Sequence, residues 1–215
     1  MKKYVNYPIE EIEHNLRKTF SRTNPYEYKE GKGWYQEANV YLQEIADHFN
    51  VPLQLVCALC AVLSPGNQWN SNLKDTYNLI RFGWNDKKRF GKFTSVTYPQ
   101  NIKKAKKILR YQGLGQYHLV SGVKVSAFFD NLLYPKTSNC VTIDTHMFRC
   151  ALNDSNLDVT GSLPVTYTRE IDRIVRLIAI ECNLLPLQIQ AIIWTVWKRL
   201  TFSRNTNFSQ KFFMF

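Results

Sequence analysis

Three stretches of this chain repeat apolar residues at the three- and four-residue steps that a helix turns to one side. Trp34, Tyr35, Ala38, Tyr41, Leu42, Ile45, Ala46 and Phe49 form the first stripe. Ile171, Ile174, Val175, Ile178, Ala179 and Cys182 form the second, and Ile189, Ile192, Ile193, Val196, Trp197 and Leu200 the third. Each stripe is one apolar helical face, the natural lining of a core. No run alternates long enough to demand a sheet, and there is no internal repeat or low-complexity tract. The spacing predicts an all-α chain. Ser64-Pro65-Gly66-Asn67 ends one helix, with Asn67 or Asn70 capping the next, while Gly83-Trp84-Asn85-Asp86 and Thr97-Tyr98-Pro99 bound a basic loop. With 215 residues and 45% hydrophobic content, the chain can bury one substantial core or two small lobes. Residues 202–215 alternate polar and aromatic side chains and are expected to fray or to pack across a lobe.

Charge narrows the partner. The chain carries 28 Lys plus Arg against 17 Asp plus Glu, a formal net charge of +11 that favours a polyanion. The phosphate-facing clusters read as Lys103, Lys104, Lys106 and Lys107, then Lys87, Lys88 and Arg89, then Lys198 and Arg199. Each reads equally as a solvated helix face. The five cysteines form no disulfide ladder, and Cys57-Ala-Leu-Cys60, for all its metal-like spacing, lies in an apolar run where free Cys packs as a small hydrophobe. The four histidines have no paired ligand spacing, so neither a metal nor a cofactor is expected. Glu10, Glu11 and Glu13 follow the N-terminus in place of an apolar signal core, and no window reaches the length of a membrane span. The expectation is a cytoplasmic, non-secreted monomer in a bacterium or an infected host cell.

Two residues carry candidate chemistry. Asp144 follows the β-branched run Val141-Thr142-Ile143 and precedes the helix-compatible segment from Thr145 to Leu152, the position of an N-cap. Lys124 sits in the first turns of an apolar helix containing Val125, Phe128, Phe129, Leu132 and Leu133, just after a Ser-Gly break. There, partly desolvated, an ammonium loses its proton more easily and becomes a usable nucleophile. Capping alone accounts for Asp144, and a phosphate contact or a snorkelling stem accounts for Lys124. The pair together suits attack on, and stabilisation of, a sugar carbon.

These residues resemble a known family, the helix-hairpin-helix DNA glycosylases, and most closely their endonuclease III-like branch. The family's hairpin Leu-Pro-Gly-Val-Gly-(Arg)-Lys-Thr-Ala is followed by Val-Asp-Thr-His-(Ile/Val)-Phe-Arg. Here Gly122-Val123-Lys124 looks like the hairpin's end, and Ile143-Asp144-Thr145-His146-Met147-Phe148-Arg149 is close to the second motif. Ala61-Val62-Leu63-Ser64-Pro65-Gly66-Asn67-Gln68 is similar to the family's Leu-Leu-Ser-Ala-Gln segment. The helix from Asn101 to Leu109 looks like the Lys-Ala-rich helix before the hairpin, and Ile192 to Arg199 like the Trp-containing helix that closes the second lobe. Colinearity extends the resemblance over roughly residues 50 to 200. Of the hairpin's two glycines only Gly122 is present, with Val120 and Ser121 where the family has Gly and Val, and no Cys after Cys182 supplies the iron–sulfur loop.

The resemblance implies a two-lobed fold with the active site in the interlobe cleft. Residues 1–49 plus 145–215 would form a discontinuous lobe, and 50–144 a continuous one with the hairpin. It implies duplex DNA as partner, with a damaged or modified base flipped out, excised by an N-glycosylase and, through a Schiff base on Lys124, an AP lyase. Asp144 would stabilise the positive charge that develops on the sugar, or activate water if Lys124 points away. DNA contacts would come from Ser64, Asn67, Gln68, Trp69, Lys103, Lys104, Lys107, Ser121, Gly122 and Arg149, with Asn67, Gln68 or Trp69 filling the gap left by the base. The base pocket is expected to draw on Trp34, Glu37, Tyr41 and Asp130. Arg149 reads as a partner of phosphate or of a neighbouring acid, Glu37 as a base-edge acceptor or an exposed charge, and Trp194 and Trp197 as core packing. His146, about 200° round the helix from Asp144, reads as structural. Two other classes fit the same scaffold: an enzyme modifying a thymine-derived base in phage DNA, and a catalytically inactive DNA-binding protein.

Overall fold

The computed structural model describes residues 7–85, 93–112, 116–159, 161 and 163–202, without the side chains at 84, 85 and 202. Among them the chain is all-helical: α1 (Glu11–Phe20), α2 (Pro25–Phe49), α3 (Leu53–Leu63), α4 (Trp69–Asn85), α5 (Pro99–Arg110), α6 (Val123–Leu133), α7 (Thr145–Ala151), α8 (Val165–Cys182) and α9 (Pro186–Phe202), with a 3-10 turn at Tyr117–Leu119. The basic cluster Lys87, Lys88 and Arg89, the segment 1–6 and the tail 203–215 lie outside the described residues.

Local chemistry sets the helix ends. At α2, Asn24 accepts from the Glu27 N–H while the Glu27 carboxylate accepts from the Asn24 N–H, a reciprocal cap preceding Pro25 in the first turn. The same helix stops at Asn50, whose φ of 51° is left-handed, and Pro52 then prevents continuation, so α3 leaves at 119°. Asn183 with φ 51° ends α8 in the same way, and α9 leaves at 104°. The helix α4 starts at Trp69, one residue too late for Asn67 to cap it and too early for Asn70. Asn67 instead donates its Nδ2 to Asp75 Oδ2 at 2.9 Å, because the loop folds back on α4.

Two apolar cores result. The first is built around α3, buried from Leu55 through Leu63, and takes one face each of α2, α4, α5 and α6 together with Leu187 and Ala191 of α9. Cys57 and Cys60 lie inside it; burial raises both thiol pKa values, that of Cys60 to about 12, which makes them packing groups. The second joins α1, α7 and α8 with Ile189, Ile193 and Trp197 of α9. By apolar contact, segment 1–49 divides: Ile12 and Leu16 belong to the second core, Tyr35, Ala38, Leu42 and Ile45 to the first. Between the cores α2 and α9 cross backbone to backbone, and a Cβ on Gly31 would stand 2.5 Å from Ile192 Cα and 2.7 Å from its nitrogen.

That crossing yields a signed prediction. Alanine in place of glycine favours a helix by about 1 kcal/mol, whereas overpacking against a backbone costs about 1–3 kcal/mol. Gly31→Ala is therefore expected to lower stability in chemical denaturation, because Ile192 presents main chain and cannot turn aside. Gly33→Ala, whose Cβ would meet only Glu37 Oε1 at 3.6 Å, is expected to raise it. Equal effects from both would remove the close crossing as the explanation.

Candidate functional site

The segment leading out of α6 is fixed by a buried polar group. Asn131 donates Nδ2 to the Cys140 carbonyl and to Thr142 Oγ1, both at 3.1 Å, and its Oδ1 accepts from Ser138 at 2.6 Å. One and two turns earlier on the same face of α6 stand Phe128 and Lys124. Val141 and Ile143 are buried in the second core, so the chain enters α7 in a fixed register with Asp144 at the cap. The Asp144 backbone is extended, and Oδ1 accepts from the Met147 N–H at 2.8 Å. Its other oxygen, Oδ2, accepts from Trp194 Nε1 at 3.3 Å. A carboxylate held at both oxygens is aimed rather than mobile.

Lys124 is brought to Asp144. Burial lowers the Lys124 pKa below the ordinary lysine value, and the Asp144 charge opposes that shift. His146 couples to the same group: burial lowers its pKa, Asp144 raises it, and Lys198, Arg149 and Lys124 lower it further. Around this lie four aromatic rings. Trp34 on α2 meets Trp69 with centroids 5.0 Å apart, Phe128 at 6.2 Å and Trp194 at 6.3 Å. Since Trp34 and Trp69 pack on the first core and Trp194 on the second, this aromatic group spans the seam between them.

The structure sorts the remaining sequence candidates. Glu37 and Tyr41 share the α2 face of Trp34, Glu37 exposed and Tyr41 against the first core. Asp130 lies on a different flank of α6, where Oδ2 accepts from the Cys140 thiol at 3.5 Å. Ser64 is buried and donates to the Ala61 carbonyl at 2.9 Å, leaving Gln68 as the exposed side chain of its loop, with Asn67 held by Asp75 and Trp69 against Trp34. On α5, Lys103 and Lys107 are exposed on one face, Lys104 donates to Ser121 Oγ at 3.3 Å, and Lys106 reaches the Phe93 carbonyl at 3.3 Å. Ser121 and Gly122 are exposed at a turn where Gly122 has φ 101° and a Cβ would meet nothing. Arg149 donates Nε to the Leu157 carbonyl at 2.9 Å. Arg199 pairs with buried Glu27 and donates to the Arg22 carbonyl at 3.0 Å, so it ties α9 to the start of α2.

Glu30 was not singled out in the sequence, and Trp194 and Lys198 take places here beyond the core packing and the phosphate-facing cluster expected of them. Trp194 does not only pack: its indole N–H holds Asp144, and its ring lies beneath Lys198, with Nζ 4.3 Å from the centroid. Burial lowers the Lys198 pKa, while Asp144 and Glu30 raise it. Glu30, one turn before Trp34, has its pKa raised by burial first and then by Glu37 and Glu27, with Lys198 opposing. The available signal was position: Trp194 and Lys198 both fall off the apolar stripe of α9. Among the described residues no group of three or more His, Cys, Asp or Glu is placed to hold a metal ion, and no single helix is long and apolar enough to cross a membrane.

The fold and seam define an all-helical protein that sets a lysine and a helix-capping aspartate among tryptophans. Over residues 2–201 the sequence matches a family of unknown function (DUF7178), and the chain belongs to that family. No curated protein and no solved structure matches it.

Stability measurements separate the two duties of Asp144. Asn caps a helix about as well as Asp, whereas Ala at such a position costs about 1 kcal/mol. Asp144→Asn is expected to unfold near the native midpoint and Asp144→Ala below it. Lys124→Met, which removes a desolvated ammonium and keeps the stem, is expected to raise stability by about 1 kcal/mol, as replacements at functional sites do. A destabilised Lys124→Met would make this lysine a structural group.

Proposed function

We propose that this protein excises a damaged or modified base from DNA, acting as an N-glycosylase with AP-lyase activity through Lys124 in a two-lobed, helix-hairpin-helix glycosylase-like fold. The observation that carries the reading is a half-buried lysine with a lowered pKa beside an aspartate fixed at both oxygens, next to a group of indole rings. A nucleotide rotated out of the stack costs a few kcal/mol, and flat aromatic surfaces return part of it by stacking. As the base leaves, positive charge grows on the sugar. A fixed carboxylate stabilises that charge most in the transition state, without reorganising. A neutral Lys124 amine then attacks C1′, and the resulting imine allows β-elimination of the 3′ phosphate.

The surface beside the site supports a DNA partner. Lys103 and Lys107 project from α5, and Lys104 reaches the Ser121 turn whose exposed backbone precedes α6. Such a helix start with unpaired N–H groups receives a phosphate, and flanking ammonium groups add affinity by counterion release. Gln68, exposed in the loop before Trp69, would fill the gap in the stack.

Borohydride trapping on a duplex with one abasic site tests the reading. A covalent adduct is expected for the native chain, none for Lys124→Ala. Trapping should rise with pH through the Lys124 pKa, because only the neutral amine attacks. Since that pKa lies below the ordinary lysine value, the rise should come at lower pH than for an exposed lysine, and earlier still in Asp144→Asn, which lacks the charge that favours the ammonium. DNA binding with no adduct from the native chain would sink the lyase chemistry and turn attention to modification of the base or to binding alone. In salt titrations, Lys103→Ala is expected to reduce the log–log slope by about 1 if that lysine meets a phosphate.

A further inference from the structure

We propose that Lys198 is a second catalytic lysine of this site, the group that protonates the base as it departs. The inference rests on the base-excision reading. Its first ground is placement. Lys198 stands one turn beyond Trp194 on α9, its Nζ 4.3 Å from the centroid of the indole that donates to Asp144 Oδ2. The Trp194 ring in turn meets Trp34 at 6.3 Å across the seam. Lys198 therefore lies where the aromatic group and the catalytic carboxylate join. The charge of that carboxylate acts on two ammonium groups from different helices, Lys124 of α6 and Lys198 of α9, opposing in each the effect of burial.

The second ground is a division of labour that the chemistry demands. Lys124 must be neutral to attack and cannot deliver a proton in the same step. Asp144 must be an anion to stabilise the sugar. His146 is driven by burial toward its neutral form, which leaves it a poor proton donor at neutral pH. A base leaves as an anion unless it is protonated, and a donor of that kind is worth about 10²–10⁴ in rate. Lys198 supplies the cation. The C1′–N bond breaks with its electron pair going to the base, and Lys198 Nζ gives the base a proton and becomes a neutral amine. The Lys124 lone pair forms the new C1′–N bond, and the proton then lost from the Lys124 nitrogen restores Lys198. Mass and charge balance with no further reactant.

The groups facing Lys198 set its pH behaviour. Burial lowers its pKa first, while Asp144 at the start of α7 and Glu30 of α2 oppose that and favour the ammonium; Glu27 and Glu37 act on Glu30, and His146 shares the fields of Asp144, Lys198 and Lys124. Base release is then bell-shaped in pH, with an acid limb from Lys124, which must lose its proton, and an alkaline limb from Lys198, which must keep it. Trapping of an abasic site has no base to protonate, so it lacks the alkaline limb.

The test compares the native chain with Lys198→Ala and Lys198→Arg in two assays. One follows single-turnover release of uracil, 5-hydroxymethyluracil or 8-oxoguanine from duplexes; the other traps an abasic duplex with borohydride. Lys198→Ala is expected to slow base release by about 100-fold or more, to lose the alkaline limb, and to trap the abasic duplex within about threefold of native. Lys198→Arg keeps a cation that cannot give up its proton, so it should fall between. Release by Lys198→Ala within threefold of native overturns the proposal and leaves base excision standing. Parallel loss of release and trapping also overturns it, since that marks a DNA contact or a folding role. A native chain that traps abasic DNA yet releases none of the three bases is a lyase with nothing to protonate, which again overturns it. A native chain that does neither removes the base-excision reading and this inference with it.

Discussion

The backbone crossing of α2 and α9 at Gly31 and Ile192 is the contact on which the rest of the arrangement depends. Two helices normally stand 8–10 Å apart, held off by side chains, and a missing Cβ brings them closer. One turn beyond Gly31 comes Trp34, and two residues beyond Ile192 comes Trp194, so the crossing itself brings those rings to 6.3 Å. Arg199 reaching Glu27 clamps the same pair of helices near their ends. Neither core alone would place Trp34, Trp194 and Asp144 together; the seam does.

Electrostatics at that seam alternate. Lys124, Asp144, Lys198 and Glu30 come from four separate elements, and each charge lowers the cost of desolvating the next. Burial works against three of them: it lowers the two lysines and raises Glu30. A set of half-buried charges that raise each other's cost of burial only when one is removed is expensive for a fold to keep, and such sets gather where chemistry is done.

Much of this was legible in sequence, for identifiable reasons. The stripes over Trp34 to Phe49 and Ile171 to Cys182 were readable because a helix half in a core must repeat at its own period. Asp144 was readable as a cap because the β-branched run before it and the helix after it are both local. Partners distant in sequence were not readable. Arg149 meets the Leu157 carbonyl, Arg199 meets Glu27, and Asn67 meets Asp75, and nothing in a basic or amide side chain announces which of several acceptors the fold will offer. Trp194 was hidden differently. A tryptophan in an apolar helix reads as packing, and only its position off the stripe separated it from Trp197, which does pack in the core.

The buried cysteines have a consequence of another kind. Cys57 and Cys60 lie in the first core and Cys150 in the second, where burial raises its thiol to about 12 as well. A thiol so protonated and enclosed reacts with an alkylating reagent only after its surroundings open. Each core therefore carries its own chemical clock, and the two rates of modification, read separately by mass, would reveal whether the halves of the molecule come apart together or one at a time.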